Sequence, residues 1–319
     1  MRQCFIISQP RAGSTLLQRL LATHPQIQTV GEPWLAIPFV YALREKGLWA
    51  EYIHVSLAQG FGEFVSSLPG GRDEYFREAG DFLIRLQEKI STPGKTWFLD
   101  KTPRYHLILD ELPKMFPDAK FIVLWRNPLA VAASILNTWK RGRFDIRRYE
   151  QDIYWGPENM LRFAKARAGS MMEIRFEDIV AGTSQSIRRV TDFLELPPLE
   201  SVKLPEDDPL KQARMGDKTG INKFKAVSTA PVEEWKKTFA SPLRRFWARR
   251  YLDFLGAENL RRMGYEETAL RAALNEASGT FSQFWDDVKT LGPRLTRYRE
   301  QPPFYPAVMK PFEARRGYN

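Results

Sequence analysis

The fold is decided by the stretch Phe5-Ile6-Ile7-Ser8-Gln9-Pro10-Arg11-Ala12-Gly13-Ser14-Thr15-Leu16-Leu17. Its apolar beginning predicts a buried strand, and its Pro-Arg-x-Gly-Ser-Thr centre predicts a tight turn. Leucines at helical spacing follow, so the turn leads into an amphipathic helix. The first backbone N–H groups of a helix lack partners within the helix, and the helix dipole adds positive charge there. The turn therefore predicts a binding site for a phosphate or sulfate.

A glycine and two hydroxyl residues strengthen that interpretation. Gly13 allows the backbone to approach a ligand closely, and Ser14 and Thr15 add hydrogen-bond donors. The chain does not have the pattern GxxxxGK[ST], because the lysine before the hydroxyl residue is missing and the basic residue is Arg11 instead. An ordinary strand–turn–helix that happens to contain a glycine is the alternative, so the assignment needs support from elsewhere in the chain.

The cysteine and histidine content excludes two classes of site. The single cysteine, Cys4, cannot form an intramolecular disulfide or a thiolate metal cluster, and its place in an apolar strand predicts a buried, inert thiol. The three histidines are not spaced like a zinc site. No apolar run approaches the roughly 18–20 residues that span a bilayer, and the N-terminus enters a strand directly. We therefore predict a cytoplasmic protein without a transmembrane segment.

The chain is basic, with a net charge of +10 and a pI of about 9.6. A surplus of this size favours anionic ligands in general. No RNA-binding or zinc-finger pattern accompanies it, so nucleic acid is not an expected partner. The arginines at positions 244, 245, 249 and 250 recur at helical spacing, which predicts a solvated helix face.

Strands alternate with helices over most of the chain, which predicts an α/β fold with a parallel sheet covered by helices on both faces. The predicted strands are Cys4–Ser8, Trp97–Asp100, Phe121–Trp125 and Met171–Phe176. The predicted helices are Ser14–Thr23, one near Leu107–Phe116, Pro128–Trp139, one near Pro157–Ala166, and Ser184–Leu194. The intervening Trp34–Gly94 is expected to be mostly helical with loops.

Candidate site residues follow the carboxyl ends of three predicted strands, where ligands bind in parallel sheets. They are Ser8–Thr15, Asp100–Lys101 and Arg126–Asn127. In addition, Ser134 comes two helical turns after Arg126, so the two side chains can grip one phosphate from two sides. A capped helix with a surface arginine is the alternative for this second motif.

With these motifs in order, the chain resembles the sulfotransferases that use 3′-phosphoadenosine 5′-phosphosulfate (PAPS). Residues 10–16 match the family's 5′-phosphosulfate loop, and Arg126 and Ser134 match its 3′-phosphate site. Gly31-Glu32-Pro33 and Asp100-Lys101-Thr102-Pro103 resemble motifs of the tyrosylprotein and heparan sulfate branches. The resemblance implies a three-layer fold like that of P-loop NTPases, with a central parallel sheet flanked by helices.

The resemblance also implies roles for individual residues. Glu32 corresponds to the catalytic base that deprotonates the attacking hydroxyl, and Lys101 lies beside the transferred sulfuryl group. The remaining cofactor-binding residues are Arg11, Ala12, Gly13, Ser14, Thr15, Leu16, Arg126 and Ser134. In-line transfer requires that charge on the leaving phosphate be neutralised, and Arg11, Lys101 and the loop amides can supply that charge without a metal. PAPS is thus the expected co-substrate.

Two other functions fit parts of the sequence. In a metal-dependent kinase or P-loop NTPase, Asp100 would imitate a Walker B aspartate and Thr15 would bind Mg²⁺. The missing P-loop lysine argues against that function. A non-catalytic nucleotide- or glycan-binding protein is the other alternative, against which Glu32 and Lys101 argue. His24 and His106 are the rival bases, for which helix capping and packing are the alternative roles.

The acceptor is predicted only by class. The segments Trp34–Lys95 and Trp139–Ser170 are rich in aromatic residues and arginines, which suit a sugar or an acidic acceptor. A carbohydrate hydroxyl is the first choice, and a lipid or secondary metabolite comes next. The resemblance covers residues 4–265, so we expect a sulfotransferase domain over residues 1–265. Residues 266–319 are expected to form a helical and Pro/aromatic-rich extension, with a helix from Leu270 to Val288.

Overall fold

The computed structural model describes residues 1–48, 50–140, 142–205, 210, 226–276, 284 and 287. The described residues belong to two compact units. The first unit contains Met1–Arg126 and Trp155–Thr229, and the second contains Asn127–Tyr154 and the chain from Ala230 onward. The predicted boundary at residue 265 stays a prediction.

The first unit is built on one five-stranded parallel sheet in the order β2-β3-β1-β4-β5. Its strands are β1 (Arg2–Ser8), β2 (Ile27–Thr29), β3 (Trp97–Asp100), β4 (Lys120–Trp125) and β5 (Met171–Arg175). The central strands β1 and β4 are buried along nearly their whole length, whereas the edge strand β5 alternates. This distribution is what helices on both faces of a parallel sheet produce.

The helices agree with the prediction in most places. In chain order they are α1 (Ser14–Leu21), α2 (Ile37–Tyr41), α3 (His54–Ser66), α4 (Gly71–Ile90), α5 (Leu112–Met115), α6 (Pro128–Trp139), α7 (Gly156–Ala166), α8 (Phe176–Ala181), α9 (Thr183–Phe193), α10 (Trp235–Thr238), α11 (Pro242–Leu255), α12 (Ala257–Arg262) and α13 (Glu267–Glu276). No helix among the described residues is long and apolar enough to cross a membrane.

Aromatic rings fill the centre of the first unit. Phe5 on β1 stacks on Phe121 of β4 at 5.6 Å between ring centroids, and it also contacts Phe116 at 5.0 Å. Phe163 of α7 meets Phe121 edge-on at 5.2 Å. Since each ring touches a different element, this cluster fixes α7 against the sheet. Cys4 lies in the same core, where burial raises the pKa of its thiol, as expected for an inert cysteine.

The second unit contains α6 and the helices from α10 to α13. In this unit, Asn137 of α6 donates a hydrogen bond to the Thr238 hydroxyl at 2.8 Å. On α11, the Trp247 ring stacks between the rings of Phe239 and Tyr251. The Tyr251 hydroxyl donates to the carbonyl of Ile153 at 2.7 Å. These contacts bind the late helices to the segment around α6.

Two local predictions were wrong, and one strand was missed. The helix expected near Leu107–Phe116 is divided into a 3-10 helix at Pro103–Leu107 and the single-turn helix α5, with a turn between them. The strand β2 was missed, because a three-residue strand carries almost no periodicity. Arg244 was assigned to a solvated face, but it is buried and forms a two-pronged ion pair with Asp287. The predicted Leu270–Val288 helix is described only as α13, and its later residues lie mostly outside the described chain.

The packing of α4 on α5 gives a test of the fold. A Cβ at Gly80 of α4 would lie 1.8 Å from the carbonyl oxygen of Met115. We expect Gly80→Ala to lower the free energy of unfolding by about 1–3 kcal/mol or more, because backbone must move to admit the methyl group. Gly60→Ala is the matched control, since nothing lies within 4 Å of its Cβ. Gly60→Ala should raise the free energy of unfolding by about 0.5–1 kcal/mol. Equal stability of the two variants in urea unfolding would contradict this packing.

Candidate active site

The candidate site lies at the carboxyl edge of the sheet, where four neighbouring parallel strands end. The β1–α1 loop (residues 9–13) follows β1, and Lys101 and Arg126 follow β3 and β4 directly. Glu32 lies three residues after β2. Parallel strands deliver their following residues to one edge, and the strand order reverses at β1, with β3 and β2 on one side and β4 and β5 on the other. Four sequence-distant segments therefore meet within the first unit.

The β1–α1 loop has the conformation of a tight anion-binding turn. Arg11 and Gly13 both have positive φ, 69° and 94°, and the Ala12 N–H donates to the Gln9 carbonyl at 3.2 Å. A Cβ at Gly13 would lie 2.2 Å from the Phe176 ring, so only glycine fits there. Helix α1 then begins at Ser14 with no side-chain cap. Its first N–H groups accordingly point toward the loop opening.

Arg126 holds this loop to β4. Its Nη1 donates to the carbonyl oxygen of Arg11 at 2.8 Å, and its guanidinium lies over the Phe176 ring at 4.4 Å. The same ring packs against Gly13, on the side where a Cβ would project. The arginine and the phenylalanine together therefore maintain the strained loop conformation, which costs free energy at Arg11.

Lys101 connects the loop to Glu32. Its Nζ donates to Glu32 Oε1 at 2.7 Å and to the Thr15 hydroxyl at 3.2 Å. The lysine side chain is only 1% exposed and the glutamate 13%. A buried ammonium is unfavourable unless it is paired, and Glu32 supplies the countercharge. Lys101 thereby connects the Glu32 carboxylate to the Thr15 hydroxyl in the first turn of α1.

Gln18 fixes the segment that leads to Glu32. This buried α1 side chain donates to the Thr29 hydroxyl at 2.8 Å and to the Val30 carbonyl at 2.6 Å. Thr29 in turn donates to the Leu99 carbonyl at 2.7 Å. The short strand β2 is thus bound on one side to β3 and on the other to α1. Nothing in the sequence pattern pointed to Gln18, because its role depends on β2.

Asp100 has a structural position. It is 1% exposed and accepts hydrogen bonds from the Tyr105 hydroxyl at 2.8 Å and the Thr102 hydroxyl at 3.1 Å. Burial raises the pKa of its carboxyl group to about 7, although the two hydroxyl donors and Lys101 oppose that rise. Each oxygen of this carboxylate is thus engaged by a hydroxyl donor inside the protein. Tyr105 was not singled out in the sequence, and Thr102 only as part of the lysine motif.

The rival bases have structural roles. The His24 ring accepts from the Gln26 N–H at Nδ1, so its Nε2 carries the proton and donates to the Pro197 carbonyl at 3.0 Å. It fixes a turn after α1 rather than capping the helix. His106 is buried within the 3-10 helix, and its carbonyl accepts from Asn159 at 3.0 Å. The packing role expected for His106 agrees with that burial.

The structure thus gathers most of the predicted site residues in one unit. Arg11, Ala12, Gly13, Ser14, Thr15 and Leu16 form the loop and first helical turn, and Lys101 donates hydrogen bonds to both Thr15 and Glu32. Ser134 lies on α6 of the second unit, so its pairing with Arg126 stays a prediction. Among the described residues, no group of three or more His, Cys, Asp or Glu side chains is arranged to hold a metal ion.

Comparison with known proteins places the chain in a family. A model described as "Sulfotransferase family" matches residues 3–201, so the chain belongs to the sulfotransferase family. Nodulation protein NoeE of Sinorhizobium fredii is 27% identical over 84% of this chain and 67% of its own length. Protein-tyrosine sulfotransferase 1 of Danio rerio is 26% identical over 60% of this chain. The chain spans 53% of that second relative.

Solved structures show the same fold. The sulfotransferase domain from the curacin biosynthetic pathway superposes with a TM-score of 0.59 and 23% identity, covering 83% of this chain and 99% of that domain. The sulfotransferase domain of the Synechococcus PCC 7002 olefin synthase has a TM-score of 0.52 and 21% identity, covering 74% of this chain and 87% of that domain. The predicted parallel α/β architecture is thereby confirmed.

Asp100 gives a pH-dependent test. Its folded pKa of about 7 exceeds the ordinary 3.8, so the folded chain binds more protons than the unfolded chain between these values. The contribution of this group to the free energy of unfolding therefore falls as pH rises from about 4 to about 7. We expect the melting temperature of Asp100→Asn, relative to the unchanged protein, to rise steadily over that window. A difference that stays constant from pH 4 to pH 7.5 would contradict the raised pKa.

Proposed function

We propose that the protein transfers the sulfuryl group of PAPS to an acceptor hydroxyl, with Glu32 as the base. The observation that carries this proposal is the position of Lys101. Its ammonium joins the Glu32 carboxylate to Thr15, which lies directly after the β1–α1 loop. A single cation thereby lies between a candidate proton acceptor and a candidate phosphosulfate site. In-line transfer needs this order of groups, with base, reacting centre and leaving-group stabiliser in sequence.

The loop fits the phosphosulfate end of PAPS. The glycine that admits no Cβ allows close backbone approach, and the helix start presents N–H groups and the Thr15 hydroxyl to an anion. PAPS, when bound, supplies an activated sulfuryl group and a phosphate leaving group. Arg11 and Lys101 would then stabilise negative charge that develops on the leaving phosphate. An ammonium has three donors, and Glu32 and Thr15 take two of those on Lys101.

Glu32 is suited to accept the acceptor's proton. Lys101 holds its Oε1 at 2.7 Å, which leaves Oε2 to accept a hydrogen bond from the attacking hydroxyl. The carboxylate is 13% exposed, so a substrate can reach it, yet it remains fixed by the ion pair. Glu32, as the base, and Lys101, as the cation for the leaving group, thus orient each other.

The 3′-phosphate is assigned to Arg126 and Ser134 on the sequence match alone. Arg126 is buried beside the loop, where it also holds the Arg11 carbonyl. Loss of its side chain would thus disturb the loop as well as a phosphate contact. Ser134 has no such second function in the proposal.

We infer a carbohydrate hydroxyl as the preferred acceptor, with a lipid or secondary metabolite next. Trp34 follows the Glu32-Pro33 motif immediately, and its aromatic side chain is suited to stacking on a sugar. Further aromatic residues lie in the segment that leads from Trp34 to β3. A protein tyrosine is the acceptor that the names of several relatives suggest, and we rank it after these.

Metal-free binding is the first test. We expect adenosine 3′,5′-bisphosphate to bind in calorimetry with EDTA present, because arginines, Lys101 and loop amides supply the positive charge. Adenosine 5′-monophosphate, which lacks the 3′-phosphate, should bind about tenfold or more weakly, as expected for one lost charge-assisted contact. Binding that appears only with Mg²⁺ would favour a kinase instead. Equal affinity for the two nucleotides would remove the 3′-phosphate assignment.

The base is tested by Glu32→Gln, measured on an acceptor found by screening with PAPS. Turnover should fall by about 10²–10⁴-fold, while the affinity for adenosine 3′,5′-bisphosphate is retained, because the amide cannot accept the proton. Arg11→Ala and Lys101→Ala should instead lose both turnover and nucleotide affinity.

Glu111→Gln is the matched control for this test, since Glu111 is also ion-paired at 2.7 Å, with Arg44, and is not in the site. Its turnover should be near that of the unchanged protein. If Glu32→Gln behaves like the control, the base lies elsewhere. Binding of the nucleotide with no turnover on any acceptor would support a non-catalytic protein.

A further inference from the structure

A buried carboxylate connects the lysine turn to the segment that follows Glu32. The backbone N–H of Trp34 donates to the Thr102 hydroxyl at 3.3 Å, and that of Ala36 donates to the Tyr105 hydroxyl at 3.3 Å. Both hydroxyls in turn donate to Asp100, at 3.1 Å and 2.8 Å. The three side chains are almost completely buried. Two hydrogen-bonded arms thus run from the Asp100 carboxylate. One passes through Thr102 to the Trp34 N–H, and the other passes through Tyr105 to the Ala36 N–H.

The direction of these hydrogen bonds depends on the carboxylate. A hydroxyl has one hydrogen, so a hydroxyl that donates to Asp100 must present its lone pairs to the amide on its other side. Above its pKa of about 7, the ionised Asp100 carboxylate accepts from both hydroxyls at once, one at each oxygen. A neutral amide at this position offers a single acceptor oxygen. Asp100 therefore orients Thr102 and Tyr105 as acceptors for Trp34 and Ala36.

The segment that these arms hold is strained. Trp34 has a φ of 55°, in the left-handed region that bulky side chains rarely adopt. Such a conformation persists only where the surroundings enforce it, and it concentrates at functional sites. Here the residue is two positions after Glu32, and its own N–H is one of the two amides bound. Without the arms, the backbone after Glu32 would relax away from this conformation.

We propose that Asp100, Thr102 and Tyr105 are positioning residues that hold the Glu32 segment against Lys101. The placement in sequence supports this role, because Lys101 lies between Asp100 and Thr102. One short turn thus carries the cation and also binds the backbone that carries its carboxylate partner. The proposal rests on the proposed function for its catalytic consequence, but the hydrogen bonds can be tested without turnover.

Two matched pairs of variants separate positioning from general stability. Thr102→Val keeps the shape of the side chain and removes its hydroxyl, whereas Thr102→Ser keeps the hydroxyl. Tyr105→Phe removes one buried hydroxyl from the site, and Tyr251→Phe removes another from the second unit. If Thr102→Val does not fold, Tyr105→Phe tests the other arm.

The first measurement is amide hydrogen exchange at Trp34 and Ala36 by NMR, with adenosine 3′,5′-bisphosphate affinity measured in parallel. We expect exchange about tenfold faster at Trp34 in Thr102→Val and at Ala36 in Tyr105→Phe, as for one lost hydrogen bond. Thr102→Ser should restore the slow exchange, and Tyr251→Phe should not alter it. Nucleotide affinity should change by less than threefold. Unchanged exchange at both amides would overturn the proposal.

The second measurement is single-turnover sulfate release from PAPS, with water as the probe acceptor and enzyme in excess. In this reaction the sulfur–oxygen bond to the 5′-phosphate breaks, water oxygen bonds to sulfur, and Glu32 takes the proton. The rate should fall at least tenfold in Thr102→Val and Tyr105→Phe and recover in Thr102→Ser. A normal rate in spite of fast amide exchange would also overturn the proposal. Absence of release in the unchanged protein would count against the proposed function, while the exchange result would still decide whether the arms exist.

Discussion

The burial of the Lys101 ammonium is the constraint on which the site depends. A cation that is 1% exposed must be paired, and Glu32 reaches it because the chain after β2 lies beside the chain after β3. The register of β2 on β3 does this, with Thr29 opposite Leu99. Thr15 completes the contacts of the lysine from a third strand end. The pairing of the Lys101 charge thus links the strand order of the sheet to the arrangement of the candidate site.

The β1–α1 loop depends on a second set of contacts within the same unit. Positive φ at Arg11 and Gly13 shapes it, and Arg126 and Phe176 keep it in that shape. Phe176 begins α8 directly after β5, so the outermost strand on that side positions a side chain against a loop that begins at the central strand. The same residues consequently stabilise the fold and form the proposed cofactor site, and substitutions here are expected to affect both.

Periodicity and motif order were sufficient for much of this account. The long buried strands β1 and β4 and the helix α6 were predicted within two residues of their observed bounds, because their apolar patterns are unbroken. By contrast, β2 has three residues and no detectable period, so the placement of Glu32 depended on the resemblance alone. The hydrogen bond from Trp34 to Thr102 joins residues 68 positions apart, and the one from Ala36 to Tyr105 joins residues 69 positions apart. Contacts at such a distance become visible only when the strands are assembled.

Product mass spectrometry with PAPS and a panel of hydroxyl acceptors tests the central claim most directly. The account predicts an acceptor, most readily a carbohydrate, that gains the mass of one sulfuryl group while an equal amount of adenosine 3′,5′-bisphosphate forms in the presence of EDTA. Transfer of a phosphoryl group from ATP–Mg²⁺ to the same panel, with PAPS left unconsumed, would contradict it.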